Sequence, residues 1–307
     1  MIIYFRNTFS VWYILTISLL ASCYRMPQNE VNHQMVKDSL YYTNPITLGI
    51  LSDPQMDEIS GIVSTTGISD HLWAHNDNGD KARLFLINLR GELIQTVTLD
   101  GVKNRDWEDI ASFKDTHNGK THLYIGDIGD NDAKYSFCQV HIIEEPAYKP
   151  SSLPTIVTPI KTITYTYPDG PRDAETLMVD PQNGDIYIIT KREQKVGIYK
   201  IAYPYQSGSI VATKLAELPY KYIVGGDIAR DRSAMIIKDY EKIYYFSLST
   251  NQKIDEALLT TPYLPPYFIE PQGESIAWAS DSKTFYTLSE TSFAKIAPVL
   301  YKYEKGK

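Results

Sequence analysis

Cysteine is almost absent from this chain of 307 residues; there are two, Cys23 and Cys138, so no disulfide framework holds the fold. An excess of basic residues is absent as well. Thirty Lys and Arg face 37 Asp and Glu, a formal net charge of −7, which argues against a nucleic-acid partner. Beyond Cys23 no apolar stretch approaches the roughly 20 residues that cross a bilayer. No segment repeats apolar residues at convincing helical spacing. Gly-x-Ser-x-Gly, Walker, His-Glu-x-x-His and Cys-x-x-Cys motifs are all missing, and the six histidines are scattered, so nucleophilic serine, P-loop and zinc chemistry lack support.

What is present begins with a leader. Arg6 precedes an apolar run over residues 9–20, signal-peptide length and too short to span comfortably. Leu20-Ala21-Ser22-Cys23 follows and resembles the lipobox of bacterial lipoproteins, in which the cysteine carries diacylglycerol and palmitate and becomes the mature N-terminus. The organisation expected is a signal peptide over 1–22, lipidated Cys23 with a polar tether to 44, and a single domain over 45–307. The residue after Cys23 is Tyr24, and by resemblance to known sorting rules the protein belongs in the cell envelope at the outer membrane, either leaflet.

The domain reads as many short strands. Twenty-four tyrosines suit pleated surfaces, and turn residues punctuate apolar alternations every eight to twelve positions. An acidic residue followed by small and apolar residues recurs at Asp57-Glu58-Ile59-Ser60-Gly61, Asp106-Trp107-Glu108-Asp109-Ile110, Asp173-Ala174-Glu175-Thr176-Leu177, Gly226-Asp227-Ile228 and Gly273-Glu274-Ser275-Ile276. The steps between Glu58, Glu108, Glu175, Asp227 and Glu274 are 50, 67, 52 and 47 residues. Those are propeller-blade lengths with one insertion, assigned to a Pro- and Ser-rich loop over residues 144–159. The expected fold is an all-β propeller of five blades, its ring closed by adding the strand at residues 46–50 to the last blade. Six blades is the alternative, should residues 160–167 form a degenerate unit.

In a propeller the starts of the innermost strands and the loops after the second strands open on one face, so whatever recurs there converges. Glu58, Glu108, Glu175, Asp227 and Glu274 are the candidate metal ligands. Crowded carboxylates repel and desolvate at a cost of several kcal/mol each, and calcium, which takes six to eight oxygen ligands, is the natural compensation. His75, Asn76, Asp77, Asp127, Asp130, Asn131, Arg192 and Lys238 fall in the adjoining loops as candidate ligand-binding residues. Two alternatives stay open: the acids serve turn N–H groups, and the bases simply pair with neighbouring acids.

At these positions the layout resembles two secreted calcium-dependent families, the β-propeller phytases and the five-bladed apyrases. In both, acids at inner-strand starts hold calcium in the channel. The phytase run of aspartates before Pro-Ala-Ile-Trp is absent. Asn-Asp-x-Gly, Asp-Trp-Glu-Asp-Ile-Ala and Gly-Asp-Ile-Gly-Asp-Asn segments resemble more closely a broad class of exported bacterial propellers. Three functions are expected in competition. One is a calcium-loaded propeller that binds a ligand or envelope protein at its mouth. Another is a metal-dependent phosphoric ester hydrolase, with Glu108 or Glu175 orienting water and Arg105, Arg172 or Lys191 on phosphate. The last is a scaffold using aromatic patches at residues 203–205 and 263–267.

Overall fold

The computed structural model describes residues 41–149, 155–291 and 296–306. The leader, Cys23 and most of the tether lie outside the described residues. Among the described residues no helix is long and apolar enough to cross a membrane.

Strand β1 (Ile46–Ile50) is followed by the four strands of blade 1, β2 (Ile59–Ser64), β3 (His71–Asn76), β4 (Arg83–Asn88) and β5 (Leu93–Leu99). Then come β6 (Trp107–Lys114), β7 (Thr121–Asp127) and β8 (Cys138–Glu144) of blade 2. The chain next returns as β9 (Thr155–Val157), parallel to β5 at the outer edge of blade 1, before β10 (Lys161–Thr166) completes blade 2 beside β8. Blade 3 comprises β11 (Ala174–Val179), β12 (Ile186–Thr190), β13 (Val196–Ile201) and, after β14 (Ser209–Val211) has paired back parallel to β10, β15 (Thr213–Leu218). Blade 4 has β16 (Gly225–Ile228), β17 (Ala234–Lys238) and β18 (Ile243–Ser247), then one short helix, α1 (Ile254–Leu258). Its fourth position is reduced to a bridge between Tyr245 and Tyr263. Blade 5 is β19 (Gly273–Trp278), β20 (Phe285–Ser289), β21 (Val299–Tyr303) and, on the outside, β1.

The fold is therefore a five-bladed β-propeller, closed as expected by the first strand pairing antiparallel to the last. The six-blade alternative ends at β10, which is the fourth strand of blade 2. The expected loop over residues 144–159 carries β9, and α1 is a helix that no periodicity announced.

Inner strands β2, β6, β11, β16 and β19 each pack on the next and so encircle the axis. β2, β11 and β19 are buried at every residue, because each inner strand is covered on both faces by neighbouring blades. Outer strand β5 alternates instead, with Gln95, Val97 and Leu99 buried and residues between them partly open. Five apolar layers result, one for each pair of adjacent blades.

Side chains stitch inner strand to inner strand. Asp109 accepts from its own neighbour Ile110 N (2.8 Å) and from Leu177 N of blade 3 (2.9 Å). Asp227 does the same between blades 4 and 5, taking Ile228 N and Trp278 N, each at 2.8 Å. Ser275 Oγ reaches the Ser60 carbonyl at 2.9 Å. Replacing Asp227 by Ala strands two donors in a buried interface, each worth about 1–3 kcal/mol. The expected loss is about 2–4 kcal/mol, read as a fall in melting temperature of roughly 5–10 °C; an unchanged melt would mean the staple contributes nothing.

Candidate functional site

The mouth is built by β-bulges. In β2 the register jumps from Ile59 opposite Asn76 to Gly61 opposite His75, leaving Ser60 as the extra residue. The same jump leaves Glu108 extra in β6, Glu175 in β11 and Glu274 in β19. β16 has no bulge. A bulge re-aims a side chain, and the three glutamates so placed have carboxylate oxygens within 4.8 Å of one another. Glu108 stands equally close to Asp77 and Asp106.

The bulges also correct the register taken from the acids. Ser60, not Glu58, is the blade 1 counterpart of Glu108. Glu58 lies two residues earlier, level with Asp106 and Asp173, as its carbonyl shows: it accepts from Asp77 N just as the carbonyls of Asp106 and Asp173 accept from Ile128 N and Lys191 N. It is exposed and outside the glutamate cluster. Asp227 faces the blade interface with both oxygens taken by backbone N–H groups, so it is not gathered into the mouth.

Burial raises Asp77, Glu108, Glu175 and Glu290 at the mouth. Asp77 is pushed up to about 7 by burial, with Asp106, Glu274 and Glu58 adding to it. Burial first, then Glu175, Asp77, Glu274 and Asp106, holds Glu108 well above the usual carboxylate range. Glu175 is raised by burial and by Glu274, against the pull of Lys191. Burial and Glu274 lift Glu290 to about 9.

Two lysines answer part of this charge. Burial opposes the charge on Lys191, but Glu175 and Glu274 outweigh it and hold the ammonium above its ordinary range. Its Nζ bonds Glu175 Oε1 and stands 3.8 Å from Glu274 Oε1. Lys238 is fully buried, donates to the Gly273 carbonyl and lies 5.2 Å over the Tyr267 ring; burial lowers it to about 8. Nearby Glu270, raised to about 7 by burial, accepts from Tyr267 and Thr287.

The remaining predicted residues are committed elsewhere. His75 is buried against Trp107, with Nδ1 3.0 Å from the Asn76 carbonyl. Asn76 donates to Gln55 O and Asp80 Oδ2. Asp127 accepts from Asp106 N, and Asp130 caps a turn through Lys134 N and Tyr135 N. Arg192 holds Asp173 and Asn131. Arg105 donates to the Phe137 and Asp127 carbonyls and stacks on Tyr135 at 4.2 Å, and Arg172 pairs with Glu193 and Asp169. The tyrosines expected as patches are largely anchored: Tyr205 to Gly184 O, Tyr263 to Tyr245, Tyr267 to Glu270.

Residues missed from sequence include Tyr240, whose hydroxyl donates to Glu274 Oε1 at 2.6 Å, and Gly129. A Cβ on Gly129 would meet Glu108 Oε1 and come 2.6 Å from Asp106 Cγ. That close approach explains the second glycine of Gly-Asp-Ile-Gly-Asp-Asn, a signal visible beforehand.

Together the fold and mouth define a five-bladed propeller with an acidic, partly lysine-neutralised channel entrance. No family model and no curated protein matches the chain. Among solved structures it is similar to a PQQ-bound aldose sugar dehydrogenase from Streptomyces coelicolor, at 11% identity over 86% of this chain and 98% of that one, TM-score 0.49. It is similar also to a chain of a nidogen/laminin complex, at 11% identity over 76% and 73%, TM-score 0.43. Neither likeness assigns a ligand or a reaction to this chain.

Burial also holds His141 down, to about 4, with Arg105 acting in the same direction. An unfolded histidine titrates near 6.5, so the folded state gives up stability as pH falls from about 6.5 to 4. His141→Gln should therefore gain on the wild type across that fall, in denaturant melts at pH 7 and pH 4.5. A constant difference between the two would refute the assignment.

Proposed function

We propose that the mouth of this propeller holds a divalent cation, calcium by the chemistry of its donors, and uses the loaded face to bind a ligand or envelope protein without catalysis. The observation that carries the reading is Glu175 Oε2, a buried carboxylate oxygen with no hydrogen-bond partner, in a cluster where three glutamates approach within 4.8 Å. Lys191 brings one positive charge to Glu175 and Glu274, and buried carboxylates left short of counter-charge are strongly unfavourable. Both clusters offer only oxygen, which disfavours zinc and copper.

The hydrolase reading is not favoured. Arg105, Arg172, Lys191 and Arg192 are each bonded to protein carboxylates or carbonyls, which leaves none of these candidates free to receive a phosphate. The lipid anchor on Cys23 and the outer-membrane location belong to the same proposal and rest on the leader and lipobox. β1 starts at the end of blade 5 away from the mouth, since Ile46 pairs with Lys302 and Ile50 with Val299.

Chelator-stripped protein should melt higher when calcium is added, by roughly 5–10 °C once calcium stands about a hundredfold above its dissociation constant. Glu108→Gln should lose the response. If calcium, magnesium and zinc all leave the melt unmoved, the cation reading fails. Separately, cells fed an alkynyl palmitate should label the wild-type protein and not Cys23→Ser, which should leave the membrane fraction; equal labelling would refute the anchor.

A further inference from the structure

We propose that Arg230, at the end of the propeller away from the mouth, receives a phosphate group in a pocket it shares with Arg232. The site is separate from the carboxylates of the mouth and does not rest on the cation reading.

Arg230 stands two residues past β16, beyond the pair of Ile228 with Met235, whereas the other end of that strand pairs Gly225 with Lys238 beside the mouth. From there it crosses to blade 1, where Nη2 donates to the Ser64 and Thr65 carbonyls at 2.5 and 2.9 Å. Carbonyls carry no formal charge, so these bonds orient the guanidinium without neutralising it. Nε and Nη1 have no acceptor among the described residues. Each of the other six described arginines stands within 3.6 Å of a carboxylate oxygen; Arg230 alone does not. The acids whose charge reaches it are Asp227 and Glu145. Both are committed to other donors, Asp227 to the Ile228 and Trp278 N–H groups and Glu145 to Thr66 and the Trp73 indole. Burial outweighs their pull and holds the Arg230 guanidinium below its ordinary range.

Arg230 and Arg232 line one cavity of about 460 Å³ between the ends of blades 3 and 4, with Ser233 and Thr250 also in its wall. Arg232 is fixed by Nε on buried Asp180 and Nη2 on the Gln252 carbonyl, which leaves Nη1 without an acceptor among the described residues. The one acid in the wall, Asp231, turns Oδ1 to the Ser233 N–H. One guanidinium is therefore neutralised and the other is not, and both keep N–H groups open. A planar fork of that kind matches the paired oxygens of a phosphate. Phosphate also brings nearly two negative charges and three acceptor oxygens at neutral pH, more than a carboxylate can offer to two guanidinia.

Calorimetric titration of the purified full-length chain with sodium phosphate tests this, after chelator treatment so that no cation at the mouth can hold the anion, and with sodium chloride of equal ionic strength as the control. Wild type should bind one phosphate per chain and melt higher in phosphate than in the chloride control. Arg230→Lys, which keeps the charge and loses the fork, should bind about tenfold or more weakly. Ser233→Asp places a second carboxylate in the wall at an exposed position and should abolish binding. That variant leaves both arginines in place, so it decides the matter even where Arg230→Lys does not fold. No binding to wild type, a melt raised equally by chloride, or phosphate held by Ser233→Asp as tightly as by wild type would each overturn the inference and leave Arg230 a brace between blades 4 and 1.

Discussion

The ring depends on one pairing. Every blade packs on its neighbours through an apolar layer, but that chain of contacts ends in two raw edges unless the first strand meets the last. β1 on β21 supplies the meeting, joining residues about 250 positions apart in sequence. Sealing a sheet across its own termini removes the exposed edge that would otherwise pair with another molecule. It also makes the layer between blades 5 and 1 as complete as the others, with Leu51, Met56 and Ile59 buried against Ala277, Tyr286 and Leu300. Because the ring is closed, positions set at the start of each inner strand have no freedom to spread. The geometry of the mouth is a consequence of closure.

Within that constraint the bulges decide which side chains face the axis. A regular strand would alternate its side chains between the two neighbouring layers, which are largely apolar. One extra residue turns each of Glu108, Glu175 and Glu274 toward the centre. Where blade 4 omits the extra residue, the nearest acid, Asp227, points into the interface and serves as a staple. Asp109 in bulged β6 makes the same pair of bonds as Asp227, so the staple is common to both kinds of strand and the bulge only adds the residue that faces the axis.

That difference is also what the sequence concealed. Blade number, closing strand and second strands were legible because each rests on a local pattern of apolar runs and turn residues that repeats at blade length. β9 and β14 were not: they are three residues long and pair with strands of the preceding blade, through contacts no local pattern encodes. α1 spans five residues, too few for a helical period to emerge. The acids misled because they were aligned with one another rather than with the strands. Matching Gly61-Ile62 to Asp109-Ile110 sets Ser60 against Glu108 and moves Glu58 two places back.

The chain supplies its own comparison for what a buried acid looks like when it serves the backbone. Asp109 and Asp227 each hold two N–H groups, and Asp130 holds two within a turn. Asp180 takes Gln182 N and the Arg232 guanidinium. These carboxylates are complete without help. Glu108 and Glu175, as deeply buried, lack that provision: one receives a single hydroxyl, the other a single ammonium with an oxygen left over. The fold satisfies Asp109, Asp130, Asp180 and Asp227 with its own donors, and leaves the glutamates it turns toward one another at the mouth only partly provided for.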